Sequence, residues 1–133
     1  MSKILIAEDN PVNRELLREL LESRGHAVVE AGDGQEALRL VAETQPDMLL
    51  LDLDMPILDG FATVKRIRED LRLASLPVLA VTAYAMHGDR EKVMVSGFNG
   101  YISKPIQAAR LFEEMGRFLG KSVGEKSAAA GAP

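Results

Sequence analysis

Acidic side chains follow two short apolar segments of the chain, and these side chains are the ones best suited to chemistry. Glu8 and Asp9 directly follow residues 4–7, and Asp52 directly follows residues 48–51. An ionised carboxylate at the end of a buried segment costs free energy unless a cation compensates it. Carboxylates that lie close together raise one another's pKa unless a divalent ion neutralises them, and a site with only oxygen ligands suits Mg²⁺. If the two segments are neighbours in the fold, we expect these carboxylates to hold Mg²⁺.

A lysine and a threonine follow two later apolar segments and extend this chemistry. Thr82 follows residues 78–81, and Lys104 follows residues 101–103. A compact cation and a hydroxyl beside a metal can hold a tetrahedral dianion, most simply a phosphoryl group. Because the chain has no cysteine and only two histidines, the available acceptor is a carboxylate, which can attack phosphorus to form an acyl phosphate. Taken alone, Asp52 could instead cap a loop or pair with a lysine.

The composition limits the classes of protein that are possible. A chain of 133 residues with 47% hydrophobic residues predicts one domain with a core of its own. The absence of cysteine excludes disulfides, thiolate zinc sites and iron–sulfur clusters. A net charge of −4 with scattered basic residues argues against direct binding to nucleic acid. Since the chain has no apolar run of the ~20 residues that a membrane span needs and no signal pattern, we expect no membrane insertion and a cytoplasmic location.

Alternating strand and helix patterns would place the candidate residues at one edge of a sheet. Apolar runs predict five strands, at residues 4–7, 27–31, 48–51, 78–81 and 101–103, with 27–31 suited to a sheet edge. Helices are predicted between the strands, with Asn10, Asp33, Asp59 and Asp89 as caps of the first four and the fifth beginning after Pro105. This alternation implies a three-layer α/β domain with a parallel sheet. In such sheets, ligands bind outside the carboxyl ends of the strands.

Apolar residues at helical spacing predict which helix faces are buried. The stripe of the first helix consists of Val12, Leu16, Leu17, Leu20 and Leu21. The stripe of the third helix consists of Phe61, Val64, Ile67 and Leu71. From residue 120 onward the periodicity is lost, which predicts a flexible tail over residues 120–133.

Four segments of the chain together resemble the response-regulator receiver domain of two-component signalling, a member of the CheY-like superfamily. The segments are Ile-Leu-Ile-Ala-Glu8-Asp9-Asn10, Leu-Leu-Leu-Asp52-Leu-Asp54-Met55-Pro56-Ile-Leu-Asp59-Gly60, Val-Thr82-Ala83 and Tyr101-Ile-Ser-Lys104-Pro105. The resemblance assigns residues 1–119 to the receiver domain and implies a flavodoxin-like (βα)5 fold. The parallel sheet of that fold has the strand order 2-1-3-4-5.

The resemblance also implies how the metal and the phosphoryl group are held. Asp52 would be the phosphoacceptor, Asp9 a direct ligand of Mg²⁺ and Glu8 a ligand acting through water. Asp52 and the backbone carbonyl of Asp54 would complete the protein's ligands to the metal. Lys104 would pair with one phosphoryl oxygen. The Lys104–Pro105 peptide is expected to be cis.

A conformational switch follows from the same resemblance. Thr82 would bind another phosphoryl oxygen and move inward, and Tyr101 would turn in with it. This movement would alter the face formed by the fourth helix, fifth strand and fifth helix, which would bind a downstream protein. The side chains of Asp54 and Tyr84 would tune dephosphorylation. In this family partner proteins dock on the first helix, so some of its apolar stripe is expected to be exposed.

The expected function is therefore a phosphorelay switch, not an enzyme beyond its own dephosphorylation. The phosphoryl donor would be a histidine kinase or a histidine phosphotransfer protein. Residues 9–14 and 83–86 resemble receivers of hybrid histidine kinases and of the single-domain DivK type. We expect a free-standing regulator, because Met1 stands two residues before the first strand, and we keep a hybrid-kinase receiver as the alternative. A phosphohydrolase with a nucleophilic aspartate is an alternative of a different class, for which Asp54 would be the acid–base group.

Overall fold

Five short parallel strands form one sheet in the computed structural model, which describes residues 2–55, 57–83 and 87–120. The strands are β1 (Lys3–Ala7), β2 (Ala27–Ala31), β3 (Met48–Asp52), β4 (Val78–Thr82) and β5 (Gly100–Ser103). They lie in the order β2-β1-β3-β4-β5, which confirms the expected flavodoxin-like fold. All residues of β3 and β4 are buried, because helices cover both faces of a parallel sheet, while most of β2 at the edge is only partly buried.

Five helices alternate with the strands, and the fifth follows β5. They are α1 (Pro11–Ser23), α2 (Gly34–Thr44), α3 (Gly60–Glu69), α4 (His87–Val95) and α5 (Ala108–Met115). A 3₁₀ turn (Leu71–Leu73) follows α3, and a π-helical turn (Gly116–Gly120) follows α5. None of the helices in the described part of the chain has the length and apolar character needed to cross a membrane.

Side-chain caps fix where the first three helices begin, as expected from the sequence. The side chain of Asn10 accepts hydrogen bonds from the first turn of α1, and Asp33 and Asp59 do the same for α2 and α3. Because each cap follows the carboxyl end of a strand, the caps also set the course of the loops that carry the candidate site. The beginning of α1 is thereby fixed directly after Glu8 and Asp9.

The core consists of two apolar layers, one on each face of the sheet. Leu5 and Ala7 of β1 point to the layer that contains residues of α2, α3 and α4. Ile4 and Ile6 point to the opposite layer, which contains residues of α1 and α5. The polar ends of the strands lie beyond these layers, at the edge of the sheet where the candidate residues are found.

Two local predictions are corrected by the structure. Leu71 was expected to be buried on α3, but it lies in the 3₁₀ turn with 90% of its surface exposed. The chain leaves the helix there because Asp70 adopts an extended conformation and accepts a hydrogen bond from the backbone N–H of Arg72. On α1, the expectation that part of the apolar stripe is exposed is confirmed: Val12 and Leu16 are exposed whereas Leu17 is buried, since the stripe is wider than the face that meets the sheet.

The second correction concerns the beginning of α4, which is at His87 and not after Asp89. Asp89 therefore lies inside the first turn of the helix. Acidic residues are common both as caps and in the first turn, so the residue type alone did not separate these positions.

Candidate functional site

The acidic residues at the ends of β1 and β3 lie together, as the sequence predicted. The two strands are neighbours in the sheet, with Ala7 paired to Leu51. Glu8, Asp9 and Asp52 each offer a carboxylate oxygen, and these oxygens all lie within 4.8 Å of one another. Glu8 and Asp52 are buried and Asp9 is exposed, so the cluster opens to solvent on one side.

Lys104 brings a positive charge to the two buried carboxylates. Its Nζ lies 3.1 Å from Oε1 of Glu8 and 3.2 Å from Oδ2 of Asp52, and it donates a hydrogen bond to the latter. The backbone N–H of Lys104 donates to the carbonyl of Thr82 over 2.8 Å, which continues the pairing of β4 with β5 into the loop. The Lys104–Pro105 peptide is cis, as expected.

The pKa values of Glu8 and Lys104 reflect the burial of the cluster and the closeness of its charges. Burial, together with the adjacent Asp52, raises the pKa of Glu8 to about 7, although Lys104 and the N–H of Asn10 act in the opposite direction. Burial alone would lower the pKa of Lys104, but its pairing with Glu8 and Asp52 outweighs this and raises the pKa. The site therefore favours additional positive charge.

The arrangement fits a divalent cation such as Mg²⁺. Oε1 of Glu8 is buried and lies 3.1 Å from Nζ of Lys104, a cation that it shares with Asp52, whereas Oε2 accepts a hydrogen bond from the N–H of Asn10 over 3.2 Å. One lysine cannot fully compensate two buried carboxylates, and a coordinated cation or a bound water would complete the interactions of Glu8. The donors Glu8, Asp9 and Asp52 are all carboxylates, and such hard oxygen ligands favour Mg²⁺ over softer metals.

The loop after β3 holds the Asp52 carboxylate in a defined orientation. The backbone N–H of Asp54 donates to Oδ1 of Asp52 over 3.0 Å, so each carboxylate oxygen of Asp52 has a partner. The side chain of Asp54 is exposed at the mouth of the site. Gly60 closes the loop, since its N–H donates to the carbonyl of Leu53 over 3.1 Å and a Cβ there would stand 2.6 Å from the carbonyl oxygen of Asp52.

Thr82 and Tyr101 lie on the strands beyond β3. Thr82 ends β4 and is buried. Tyr101 is half-buried on β5 and packs against the core layer of α2, α3 and α4. The guanidinium of Arg90 on α4 lies 5.1 Å from the centre of the Tyr101 ring, so this ring links the last strand to α4. Tyr84 lies outside the described residues.

The sequence did not predict a contact that reaches the site from α1. Nη1 of Arg14 donates to the backbone carbonyl of Glu8 over 2.7 Å. Arg14 belongs to a segment that was noted only for its family resemblance. Its position on α1 follows from the sequence, but no pattern shows which acceptor a long side chain reaches.

Comparisons with known proteins agree with this fold. The family described as "Response regulator receiver domain" matches residues 4–115. The polar-differentiation response regulator DivK of Brucella anthropi is 40% identical over 117 residues, which cover 88% of this chain and 95% of that protein. A solved receiver domain of a sensor histidine kinase from Pseudomonas aeruginosa, with magnesium coordinated in its active-site cleft, is 36% identical with a TM-score of 0.83, and the match covers 90% of this chain and 98% of that chain.

A third relative was solved together with a partner protein. It is the receiver domain of a Saccharomyces cerevisiae response regulator, crystallised with the histidine phosphotransfer signalling protein upstream of it. The match has a TM-score of 0.81 and 27% identity, and it covers 87% of each chain.

Proposed function

This chain belongs to the response-regulator receiver domain family, and on that basis we propose that Asp52 accepts a phosphoryl group from a histidine kinase or a histidine phosphotransfer protein. The chain is a signalling switch of a two-component system and is DivK-like in sequence. One observation carries the proposal for Asp52. Its buried carboxylate lies against Lys104 and within 4.8 Å of the oxygens of Glu8 and Asp9.

The metal ligands in this proposal are the acidic residues of the cluster. Asp9 and Asp52 would bind Mg²⁺ directly, Glu8 would bind through water, and the backbone carbonyl of Asp54 would complete the protein's share. The bound ion supplies charge compensation for the carboxylates and for the incoming phosphoryl oxygens. The raised pKa of Glu8 and the sharing of one lysine by two buried carboxylates support this assignment.

The transfer step requires little more of the protein than orientation and compensating charge. A carboxylate oxygen of Asp52 forms a bond to phosphorus as the P–N bond of the partner's phosphohistidine breaks. The electron pair of that bond stays on the imidazole nitrogen, which takes up a proton. The N–H of Asp54 and Nζ of Lys104 keep the carboxylate in place, and Lys104 then pairs with a phosphoryl oxygen.

The response to phosphorylation involves the residues between the site and α4. Thr82 bonds to a phosphoryl oxygen and moves inward, and Tyr101 follows, which changes the face formed by α4, β5 and α5. The contact between Tyr101 and Arg90 supports this coupling, since a movement of the ring alters a contact with α4. A downstream protein would bind the altered face. Asp54 and Tyr84 would tune the hydrolysis of the acyl phosphate, the one reaction that we assign to the chain itself.

A receiver module of a hybrid histidine kinase is the second candidate. The similarity to the receiver domain of the Pseudomonas aeruginosa sensor histidine kinase favours it. The family match is to receivers and not to phosphohydrolases, so we do not carry that alternative forward. The cytoplasmic location, the absence of direct nucleic-acid binding and the tail over residues 120–133, which from residue 121 lies outside the described residues, stay predictions.

Nuclear magnetic resonance spectra of the labelled protein would test the switch. We expect Mg²⁺ with acetyl phosphate to shift the backbone amide signals of Thr82, Tyr101 and Arg90. The same addition to Asp52→Asn should leave these signals in place. Equal shifts in Asp52→Asn would contradict the assignment of Asp52, and shifts confined to residues near Glu8 and Asp52 would contradict the coupling to α4.

A further inference from the structure

Arg14 connects α1 and β2 to the turn that carries the acidic residues. Its Nη1 donates to the backbone carbonyl of Glu8 over 2.7 Å, and its Nε donates to Oε1 of Glu30 on β2 over 3.0 Å. The side chain of Arg14 is 25% exposed and that of Glu30 is 29% exposed, so the pair is largely shielded from water. Glu30 therefore holds the guanidinium with its second nitrogen directed at Glu8.

Other contacts also hold the turn from Glu8 to Asn10, among them the bond from the N–H of Asn10 to Oε2 of Glu8 and the cap that the Asn10 side chain forms on α1. The N–H of Glu8 donates to the carbonyl of Ala31 over 3.1 Å, and the carbonyl of Asn10 accepts from the N–H of Arg14 over 2.9 Å. The guanidinium adds a charge-assisted bond to the carbonyl of Glu8, a residue that is 1% exposed. Such bonds are about twice as strong as those between neutral groups, and a buried carbonyl without a donor is unfavourable.

We propose that Arg14, held by Glu30, is a positioning residue that directs the carboxylates of Glu8 and Asp9 toward the metal. The proposal rests on the assignment of these residues as Mg²⁺ ligands. Arg14 contacts the backbone behind the ligands and not the metal, so it acts through the orientation of the turn. Residues that orient metal ligands in this way affect metal affinity about 10- to 100-fold when they are replaced.

Arg18 provides a matched control within the same network. It pairs with Oε2 of Glu30 and, over 3.2 Å, with Glu22. Arg18 therefore shares the Glu30 anchor but donates no hydrogen bond to Glu8 among the contacts of the described residues. A loss of charge near β2 is common to both substitutions, whereas the loss of the bond to Glu8 occurs only when Arg14 is replaced.

Isothermal titration with Mg²⁺ alone tests the proposal without any phosphoryl donor. We expect Arg14→Ala to weaken Mg²⁺ binding about tenfold and Arg18→Ala to change it less than twofold. Arg14→Lys should lie between Arg14→Ala and the wild type, because an ammonium group can hold only one of the two acceptors well. In the metal-free protein, the amide of Asn10 should exchange with solvent faster in Arg14→Ala than in Arg18→Ala.

The outcomes separate this proposal from the proposed function. A wild-type protein that binds no Mg²⁺ would overturn the metal site itself. If the wild type binds Mg²⁺ and Arg14→Ala binds it equally well, or no more weakly than Arg18→Ala, the role of Arg14 is overturned. Should Arg14→Ala not fold, Arg14→Lys and Glu30→Gln provide the same comparison, and wild-type affinity in both would overturn the proposal.

Discussion

The balance of charge at the ends of β1 and β3 determines what the site can do. Lys104 faces two buried carboxylates, and the third acidic residue, Asp9, lies at the exposed side. Burial makes each unpaired charge unfavourable, so the cluster in its metal-free form is held together mainly by one lysine. The same excess of negative charge favours the binding of a divalent cation. Once the cation is bound, a dianionic phosphoryl group can enter the site and pair with Lys104.

Replacing Lys104 by glutamine should therefore reduce stability strongly. We expect Lys104→Gln to lower the free energy of unfolding of the metal-free protein at pH 8 by about 2–4 kcal/mol, because it leaves Glu8 and Asp52 without their cation. The loss should be smaller at pH 5, where Glu8 binds a proton. Urea denaturation measures both values. Arg39→Gln, which removes exposed pairs with Glu36 and Glu43, serves as the control with an expected change of about 0.5 kcal/mol or less. An equal loss in both variants would contradict the assigned role of Lys104.

The sequence predicted most of the site residues because one rule places them. Polar residues that follow buried parallel strands must meet at the same edge of the sheet, and this rule identified Glu8, Asp52, Thr82 and Lys104. The contact of Arg14 with the carbonyl of Glu8 could not be predicted in the same way. It depends on the rotamer of a long side chain and on the position of the edge strand, neither of which follows from residue spacing.

Among the connections between strands and helices, the loop between β3 and α3 contains a strained backbone position. Ile57 has a φ of 68°, and its side chain is 74% exposed. Left-handed backbone is unfavourable for a β-branched residue, and an exposed side chain gains little packing in return. The loop keeps this conformation because the buried end of β3 and the close approach of Gly60 to Asp52 fix both of its ends.

A residue that tolerates left-handed backbone should relieve this strain. We expect Ile57→Asn to raise the free energy of unfolding by about 0.5–1 kcal/mol, since asparagine adopts this conformation more readily than isoleucine. Ile57→Val keeps the branched Cβ and should leave stability unchanged. Thermal unfolding of the variants measures the difference. Equal stability of the two variants would show that the backbone at Ile57 is not strained.

Most helices and strands were predictable from local sequence signals. Caps and apolar runs identified all five strands and the beginnings of α1, α2 and α3. The two errors, at the end of α3 and at the beginning of α4, arose where apolar spacing and residue type did not determine the helix boundary. Leu71 continues the apolar spacing of α3, but the side chain of Asp70 ends the helix before it. The beginning of α4 was misplaced because several residues near it are suitable for a first turn.

For the molecule as a whole, the acidic site links stability to pH and to metal. The pKa of Glu8 is raised from 4.5 to about 7 in the folded protein. The folded state therefore binds a proton at Glu8 more tightly than the unfolded state does, and the contribution of this residue to stability falls as pH rises from about 4.5 to about 7. Above this range the ionised carboxylate lowers stability unless a cation is bound.

The variant Glu8→Gln, which imitates the protonated form, should make this linkage visible. Without metal, we expect it to be more stable than the wild type by about 2 kcal/mol at pH 8 and of similar stability at pH 4.5. Added Mg²⁺ should stabilise the wild type at pH 8 more than it stabilises Glu8→Gln. Urea denaturation across this pH range measures the difference, with the exposed Glu43→Gln as the control. A constant difference between the wild type and Glu8→Gln at all pH values would contradict the raised pKa.

The most direct test of the account is the intact mass of the protein after incubation with acetyl phosphate and Mg²⁺. We predict that the wild type gains the mass of one phosphoryl group, that the gain requires Mg²⁺, and that hydroxylamine removes it. The control variant Asp47→Asn replaces an aspartate beside the opposite end of β3, and it should gain the phosphoryl group as the wild type does. Asp52→Asn should gain none. An equal gain in Asp52→Asn, or no gain by the wild type in the presence of Mg²⁺, would contradict the account.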